Sequence, residues 1–367
     1  MKRFFILWNL LVVLLFSCQK TMGRLTLYSP HNPAIQYTGR IRFDDPAKPQ
    51  FCGAASYFMI QFKGTECRAL FELPPGNHHY VAVELDGKYV GRIKVTPDQQ
   101  EYVLVDSLKS CSHMLRVAKA TEALLGDVIL TGIKCHELES FENPYKRHIE
   151  FIGNSITSGT GVDQSDYPCD SKEAVWHDHH NAYLAYGPVV ARKLEADWLL
   201  SSVSGAGVYR NWNSEGPAVP QVYPQTALNL DTTSLWTPDR YSPDLISICL
   251  GTNDFSDGDG SYDRGPLDEE KFIKSYVTFV RMIRGRYTDV PICLLTSPVF
   301  SGEKKDKLFT YLTHVSTIMR NEFGDENIHV FRYAHAYHNG CTGHPSREEQ
   351  EMMSEELLPF FKGIMGW

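Results

Sequence analysis

The chain has 367 residues, of which 43% are hydrophobic and 12% aromatic, and its formal net charge at pH 7 is -8. This composition supplies enough apolar material for packed cores and excludes a disordered chain, and the length suggests two or three domains. The sequence has no cluster of lysines and arginines, which phosphate backbones require, so we expect no nucleic-acid partner.

The first 18 residues have the layout of an export signal. Two basic residues precede an apolar run at residues 4–16, and Ser17 and Cys18 follow. The run is too short to cross a membrane as a helix. Residues 15–18 resemble a bacterial lipobox, in which the cysteine carries a lipid. We therefore expect residues 1–18 to be a signal peptide with a lipobox, and the protein to be a lipoprotein of the periplasm or cell surface, tethered to the membrane only through Cys18. Cleavage nearby without a lipid is the alternative.

Eight cysteines remain after Cys18, and export would permit disulfides without requiring them. Cys249 and Cys293 lie in apolar runs, which predicts buried thiols. One or two bridges are expected in the N-terminal half, among Cys52, Cys67, Cys111 and Cys135. The sequence alone does not fix the pairing. It contains no Cys-x-x-Cys pair and no His/Cys cluster with ligand spacing, so we expect no structural zinc.

Residues 25–140 are predicted to form a β-sandwich. Short segments rich in β-branched and aromatic residues follow one another with no helical period between them, at residues 54–62, 67–73, 81–88, 101–105, 113–118 and 128–133. The third segment contains Asp86-Gly87, a pair typical of a hairpin turn. Residues 140–147 are predicted to be a linker.

After residue 147 the pattern changes to alternating strands and helices, which predicts an α/β/α domain with a parallel sheet over residues 146–367. The predicted strands are 148–152, 198–203, 244–250, 290–296 and 328–331, and the helices between them include 182–194, 268–287 and 304–323. In the second of these helices, apolar residues recur at helical spacing and predict a face that packs on the sheet: Phe272, Tyr276, Phe279, Val280 and Ile283.

Three motifs come directly after predicted strands, and a fourth lies further along the chain after the last one. The first strand stops at Gly153-Asn154-Ser155, which places Ser155 at the carboxyl edge of the sheet, where α/β proteins carry their chemistry. The others are Ser-Gly-Ala-Gly at 204–207, Gly-Thr-Asn-Asp at 251–254 and Gly-Cys-Thr-Gly-His-Pro at 340–345. Each alone is more often a turn or a helix start. Their joint occurrence in this order favours acyl transfer.

In that chemistry Ser155 is the candidate nucleophile and His344 the candidate base that takes its proton. The backbone N–H groups of Ser155 and Gly205 and the side-chain amide of Asn253 are the candidate donors of an oxyanion hole. Gly207 is the alternative to Gly205. Asp254 is expected to hold its loop by accepting N–H bonds rather than to act on substrate.

These four residues, Ser155, Gly205, Asn253 and His344, resemble in identity and order the named residues of the SGNH (GDSL-like) hydrolases. Finer motifs look like carbohydrate esterase family 2: Gly-Asn-Ser-Ile-Thr from residue 153, Asn-Ala-Tyr-Leu-Ala-Tyr-Gly from residue 181 and Gly-Thr-Asn-Asp-Phe from residue 251. The resemblance implies a jelly-roll-like β-sandwich before the hydrolase domain. It also implies a serine esterase that removes O-acetyl groups from plant polysaccharides such as xylan and glucomannan, without a metal or other cofactor.

Two other functions stay open on the same residues. One is a lipase or thioesterase that acts on a different ester. The other is a surface lipoprotein that binds glycans without catalysis.

The sequence departs from the family pattern at two positions. Asn154 stands where the family usually has aspartate, and Cys341 stands where many members have an aspartate three residues before the histidine. We therefore expect a Ser–His dyad, with a backbone carbonyl near Thr342 holding the imidazole.

Polar and aromatic residues of the intervening loops are weaker candidates. The run His177-Asp178-His179-His180 is expected to be a solvated rim rather than a metal site. Three aromatic residues are candidates for stacking on a sugar ring, with packing between domains as the alternative: Tyr209, Trp212 and Trp236. The same two interpretations apply to Trp176.

Overall fold

The structure is a computed structural model that describes residues 23–367. The predicted signal peptide, the lipobox and Cys18 lie outside the described residues, so the lipid anchor stays a prediction. Within the described part, no helix has both the length and the hydropathy needed to cross a bilayer.

Ten antiparallel strands form the sheet of the N-terminal domain. They are β1 (Thr26–Tyr28), β2 (Gln36–Thr38), β3 (Ile41–Arg42), β4 (Gln50–Phe51), β5 (Tyr57–Glu72), β6 (His79–Leu85), β7 (Lys88–Val95), β8 (Glu101–Val105), β9 (Cys111–Lys119) and β10 (Val128–Glu139). The first half of β5 pairs with β9, the second half pairs with β8, and β10 runs along its other edge. The long strand β5 therefore pairs with different strands along its two halves. The domain has an apolar core that includes Ile60, Phe62 and Leu115.

Strand β5 covers most of two predicted segments, residues 54–62 and 67–73, and the residues between them, Lys-Gly-Thr-Glu at 63–66. In the structure these residues stay extended, and Lys63 and Gly64 remain paired with Ser112 and Cys111 of β9. The predicted hairpin is confirmed: Asp86 and Gly87 both have positive φ, +49° and +76°, as a type I′ turn between β6 and β7 requires.

The second domain contains five parallel strands in the order β12-β11-β13-β14-β15. They are β11 (Arg147–Gly153), β12 (Ala196–Ser202), β13 (Leu245–Ile248), β14 (Ile292–Leu295) and β15 (Ile328–Phe331), and the α-helices are α1 (Tyr186–Lys193), α2 (Val219–Val222), α3 (Glu269–Arg284), α4 (Gly302–Phe323) and α5 (Arg347–Met365). Residues of α1 and α5 pack in one apolar core and those of α3 and α4 in another, which is the predicted α/β/α arrangement. The predicted apolar face of α3 is buried throughout.

The two domains share a core. Tyr57 and Ala82 of the first domain belong to the same buried cluster as Phe151 and Trp198 of the second. The indole Nε1 of Trp198 donates to the carbonyl of Ala55 at 3.2 Å. The domains are therefore joined by packing as well as by the short segment between β10 and β11.

The expectation of bridges in the N-terminal half is wrong. The disulfide of the described chain joins Cys169 to Cys341, both in the second domain, and the other described cysteines are free: Cys52, Cys67, Cys111, Cys135, Cys249 and Cys293. All of these except the exposed Cys111 are buried and act as small apolar side chains, as predicted for Cys249 and Cys293.

Candidate active site

Ser155 lies on a tight turn at the carboxyl end of β11. A side chain at Gly153 would collide with Thr157 Oγ1, so glycine lets the chain turn there. The Asn154 side chain accepts the N–H of Ile156 at 3.2 Å, and its carbonyl accepts the N–H of Ser158 at 2.9 Å. The amide of Asn154 thus braces the turn that presents Ser155, at the position where the family usually has aspartate.

His344 meets Ser155 from the loop that precedes α5. Its Nε2 lies 2.8 Å from Ser155 Oγ, and its Nδ1 lies 3.0 Å from Thr342 Oγ1. Burial lowers the pKa of His344 below its usual 6.5, although the backbone carbonyls of Cys341 and Thr342 oppose this shift. An unprotonated imidazole in this position can accept the serine proton.

Three candidate oxyanion donors lie on the segments that follow β11, β12 and β13, at the edge of the sheet where Ser155 lies. The backbone N–H groups of Ser155 and Gly205 have no hydrogen-bond partner within the described chain. The N–H of Gly207 donates to Asn211 Oδ1 at 3.2 Å, so Gly205 rather than Gly207 has the open donor. Asn253 Nδ2 donates to the carbonyl of Ala206 at 2.8 Å, which leaves its second N–H available. The arrangement can stabilise an oxyanion on a carbonyl attacked by Ser155.

Asp254 holds the loop that carries Gly205. Its buried carboxylate accepts the N–H groups of Val208, Tyr209 and Arg210 at 2.9–3.2 Å. Burial raises the pKa of Asp254, and these N–H bonds oppose that rise by favouring the charged form. The carboxylate is thus committed to the loop backbone, in agreement with the role expected for it.

Glu122 of the N-terminal domain supports the same loop, and sequence reasoning missed it. Its Oε2 accepts the N–H of Ser204 at 2.9 Å, and the side chain is wholly buried. Glu122 belongs to the segment after β9, far in sequence from the other candidate residues, and no motif marks it. The first domain therefore contributes directly to the position of Gly205.

The Cys169–Cys341 disulfide is a second feature that sequence reasoning missed. It joins the segment around residue 169 to the His344 loop, and the N–H of Cys341 also donates to the carbonyl of Gly161 at 3.0 Å. A signal for it was present: once Cys249 and Cys293 are assigned to the core, these two cysteines are the ones left in the hydrolase half.

The histidine run is not a solvated rim, so that expectation is wrong. His177, Asp178, His179 and His180 are all buried, His180 completely. Asp178 accepts hydrogen bonds from Tyr80 and His78 of the first domain, at 2.7 and 2.6 Å. These partners, distant in sequence, bury the run between the domains. The described residues contain no group of three or more His, Cys, Asp or Glu side chains arranged to hold a metal ion.

The three candidate sugar-stacking residues have different surroundings. Trp212 is 44% exposed, and its backbone N–H donates to the carbonyl of Gly205 at 2.7 Å, so it lies beside the candidate oxyanion site. Tyr209 is half-buried, with its ring against Phe272 and its hydroxyl accepting the N–H of Asp268.

The prediction for Trp236 is wrong. This residue is only 3% exposed and lies under the guanidinium of Arg40, 4.5 Å from the ring centroid, so it packs between the domains and has no free face for a sugar. Trp176 is 44% exposed, and its ring lies 4.2 Å from that of His180.

The pKa of His344 predicts the acid limb of the pH–rate profile. Only the neutral imidazole can accept the Ser155 proton, so kcat/KM for an ester should be constant near neutral pH and fall as the pH drops through the pKa of His344. Burial lowers that pKa, so the midpoint should lie below 6.5. Burial also lowers the pKa of the nearby His180, which therefore adds no charge there. A profile of kcat/KM for 4-nitrophenyl acetate tests this, and a midpoint above 7 would contradict it.

Two family descriptions match the sequence. Residues 37–144 match the carbohydrate esterase 2 N-terminal domain, and residues 151–352 match the GDSL-like Lipase/Acylhydrolase family. A cellulase/esterase, CelE, from Acetivibrio thermocellus is 30% identical over 92% of this chain, and the chain spans 40% of that protein's length. An acetylxylan esterase / glucomannan deacetylase from Cellvibrio japonicus is 26% identical over 95% of this chain and 94% of its own length.

Solved structures agree with these matches. A family two carbohydrate esterase from Clostridium thermocellum, determined in complex with cellohexaose, superposes with a TM-score of 0.80 at 28% identity, covering 91% of this chain and 99% of its own. A family two carbohydrate esterase from Cellvibrio japonicus gives a TM-score of 0.81 at 25% identity, covering 94% of this chain and 98% of its own. The predicted fold class, an antiparallel domain before a parallel-sheet hydrolase domain, is confirmed.

Proposed function

Since this chain belongs to carbohydrate esterase family 2, with a hydrolase domain of the GDSL-like lipase/acylhydrolase family, we propose that it is a serine esterase that removes O-acetyl groups from plant polysaccharides such as xylan and glucomannan. The named activity of the Cellvibrio japonicus relative supports this substrate class, and the cellohexaose complex of a related esterase supports a β-linked glycan as partner.

One observation carries the chemical part of the proposal. Ser155 Oγ lies 2.8 Å from His344 Nε2. At the same edge of the sheet, the backbone N–H groups of Ser155 and Gly205 have no hydrogen-bond partner among the described residues, and Asn253 keeps one amide N–H free. A nucleophile within hydrogen-bond reach of its base, next to donors for an oxyanion, is the arrangement that acyl transfer needs.

The reaction follows from this geometry. Ser155 Oγ attacks the acetyl carbonyl carbon while His344 Nε2 takes the hydroxyl proton. The oxyanion accepts hydrogen bonds from the N–H groups of Ser155, Gly205 and Asn253. As the intermediate collapses, His344 returns the proton to the departing sugar oxygen, and the acetyl group stays on Ser155. Water, deprotonated by His344, then attacks the acyl-enzyme and releases acetate.

Acetate release from defined substrates tests the proposal. Acetylated xylan and glucomannan oligosaccharides should release acetate, and 4-nitrophenyl esters should be cleaved less well as the acyl chain lengthens. Preference for long acyl chains or thioesters would overturn the proposal in favour of another ester. Binding of the polysaccharide without any acetate release would favour a glycan-binding protein.

Trp212 should contribute to glycan binding. Its ring is exposed and its backbone is bonded to Gly205, so the ring can stack on the apolar face of a sugar near the site. Trp212→Ala should therefore raise KM for acetylated glucomannan roughly 10-fold, the loss of about 1.4 kcal/mol of binding. The KM for 4-nitrophenyl acetate, which has no sugar, should change less than about 2-fold. Phe323→Ala, which removes a similarly exposed aromatic ring at the C-terminal end of α4, is the matched control. Equal losses on both substrates would contradict this role.

For its location we propose export and a lipid at Cys18. The basic start, the apolar run and Ser17-Cys18 support it. The Cys169–Cys341 disulfide also supports it, because disulfides persist outside the reducing cytosol. Metabolic labelling with a fatty acid, compared between the full chain and Cys18→Ala, tests it; absence of label in the full chain would contradict the anchor.

A further inference from the structure

Thr342 lies on the side of His344 that faces away from Ser155. Its Oγ1 lies 3.0 Å from His344 Nδ1 and also donates a hydrogen bond to the carbonyl of Cys341 at 2.7 Å. A hydroxyl has one proton, and when it donates that proton to the carbonyl its oxygen is left as an acceptor only. The oxygen can therefore only accept from Nδ1–H. This fixes the tautomer that has a bare Nε2, the one that can take a proton from Ser155.

The backbone of Thr342 is held in an unfavourable conformation. Its φ and ψ are +56° and +30°, in the left-handed region that a β-branched residue rarely adopts. Such strain persists only where surrounding structure enforces it. Glycine would adopt this backbone conformation without strain, but it has no side chain. Threonine at this position is strained and supplies a hydroxyl next to His344.

The surrounding structure that enforces it starts at Cys341. This residue is bonded to Cys169, its N–H donates to the carbonyl of Gly161, and the N–H of Gly340 donates to the carbonyl of His344 at 2.7 Å. A side chain at Gly161 would collide with the carbonyl of Cys341, so the two segments are in close contact. The disulfide thus fixes the carbonyl that takes the Thr342 proton.

We propose that the Thr342 hydroxyl, held by the Cys169–Cys341 disulfide, positions His344 together with the neighbouring backbone carbonyls and takes the place of a triad carboxylate. The inference rests on the proposed esterase function for its kinetic readout only, because the tautomer of His344 can be observed without turnover. Since the Thr342 side chain is exposed, water can partly replace it. We therefore expect a smaller effect than the ~10⁴-fold loss typical when a triad carboxylate is neutralised.

The first test compares three variants on 4-nitrophenyl acetate. Thr342→Val should lower kcat roughly 10- to 100-fold with KM unchanged, as expected for loss of a group that acts through the base. Thr342→Ser, which keeps the hydroxyl, should retain kcat within about 2-fold. Thr342→Gly relaxes the backbone but has no hydroxyl, so it should lose as much as Thr342→Val. Full activity of Thr342→Gly or Thr342→Val would overturn the proposal.

The second test is independent of activity. In ¹⁵N NMR spectra of the full protein, Nδ1 of His344 should carry the proton, and Thr342→Val should populate the Nε2–H tautomer. Cys169→Ala/Cys341→Ala should shift the tautomer in the same direction. An unchanged tautomer in Thr342→Val would overturn the proposal even if the protein proved inactive on every ester, so the two inferences can fail separately.

Discussion

Replacing Ser155 with alanine should lower kcat/KM for 4-nitrophenyl acetate by roughly four to six orders of magnitude. Ser155 Oγ lies 2.8 Å from His344 Nε2. Within the described chain, the other hydroxyl bonded to His344 is that of Thr342, and it contacts the opposite ring nitrogen, Nδ1. Without Oγ no acyl-enzyme can form, and the donors of Ser155, Gly205 and Asn253 can only polarise a carbonyl toward water. His344→Ala should cause a loss of similar size, because the serine then lacks its base. The measurement is the steady-state rate of nitrophenol release.

The matched control is Ser158→Ala. Ser158 belongs to the same turn and is buried, but its hydroxyl bonds to Ser202 at 2.8 Å and does not reach His344. This variant should stay within a few-fold of the wild-type rate, with a stability loss of about 1 kcal/mol for the lost hydrogen bond. If Ser155→Ala retained more than about a hundredth of the wild-type rate while folding normally, Ser155 would not be the nucleophile.

Replacing Arg40 with methionine should destabilise the protein by about 3–5 kcal/mol. Arg40 and Glu150 are both wholly buried, with Nη2 3.5 Å from Oε1. The guanidinium also donates to Ser201 and to the carbonyls of Tyr223 and Gln225. Burial raises the pKa of Glu150, and Arg40 opposes that rise. Without Arg40 the carboxylate must stay charged without its cation or take up a proton, and two carbonyls lose their donor. Chemical denaturation would measure the difference.

Two further variants test whether the loss of stability comes from breaking the buried Arg40–Glu150 pair or from removing any positive charge. Lys48→Met breaks the exposed pair with Glu72 and should leave the unfolding midpoint nearly unchanged. Arg40→Met/Glu150→Gln should be more stable than Arg40→Met, because glutamine carries no charge and its carbonyl can still accept from Ser201 or Tyr223. A double variant no more stable than the single one would show that the loss comes from packing rather than from the unpaired carboxylate.

The part of the candidate site that could be predicted consists of residues in short motifs after the strands of the parallel sheet. Ser155, Gly205 and Asn253 each come shortly after a buried strand, and His344 lies in the loop between β15 and α5. Parallel strands bring such positions to one edge of the sheet. Helical periodicity likewise predicted the buried face of α3, and the Asp86-Gly87 pair predicted the hairpin between β6 and β7. These signals are local, so a single sequence contains them.

What the sequence did not predict depends on contacts between distant segments. Trp236 looked like a loop aromatic, but Arg40, nearly two hundred residues earlier, covers it. The histidine run reads as polar, but Tyr80 and His78 bury it. The bridge joins cysteines 172 residues apart. No local pattern records which side chains another domain will cover, so burial at the interface was the least predictable property.

The contact between Glu122 and Ser204 bears on how enzymes of this kind can exchange parts. A recombination point in the segment between β10 and β11 would look neutral in sequence, because it falls between two family domains. It would nevertheless separate Glu122 from the loop that it holds, and Tyr57 from Asp197, to which its hydroxyl donates. A hydrolase domain joined to a different first domain would keep Ser155 and His344. It would lose the hydrogen bond from Ser204 N–H to Glu122, which supports the loop that carries Gly205. We therefore expect the hydrolase half to lose activity when it is joined to a first domain that lacks these contacts.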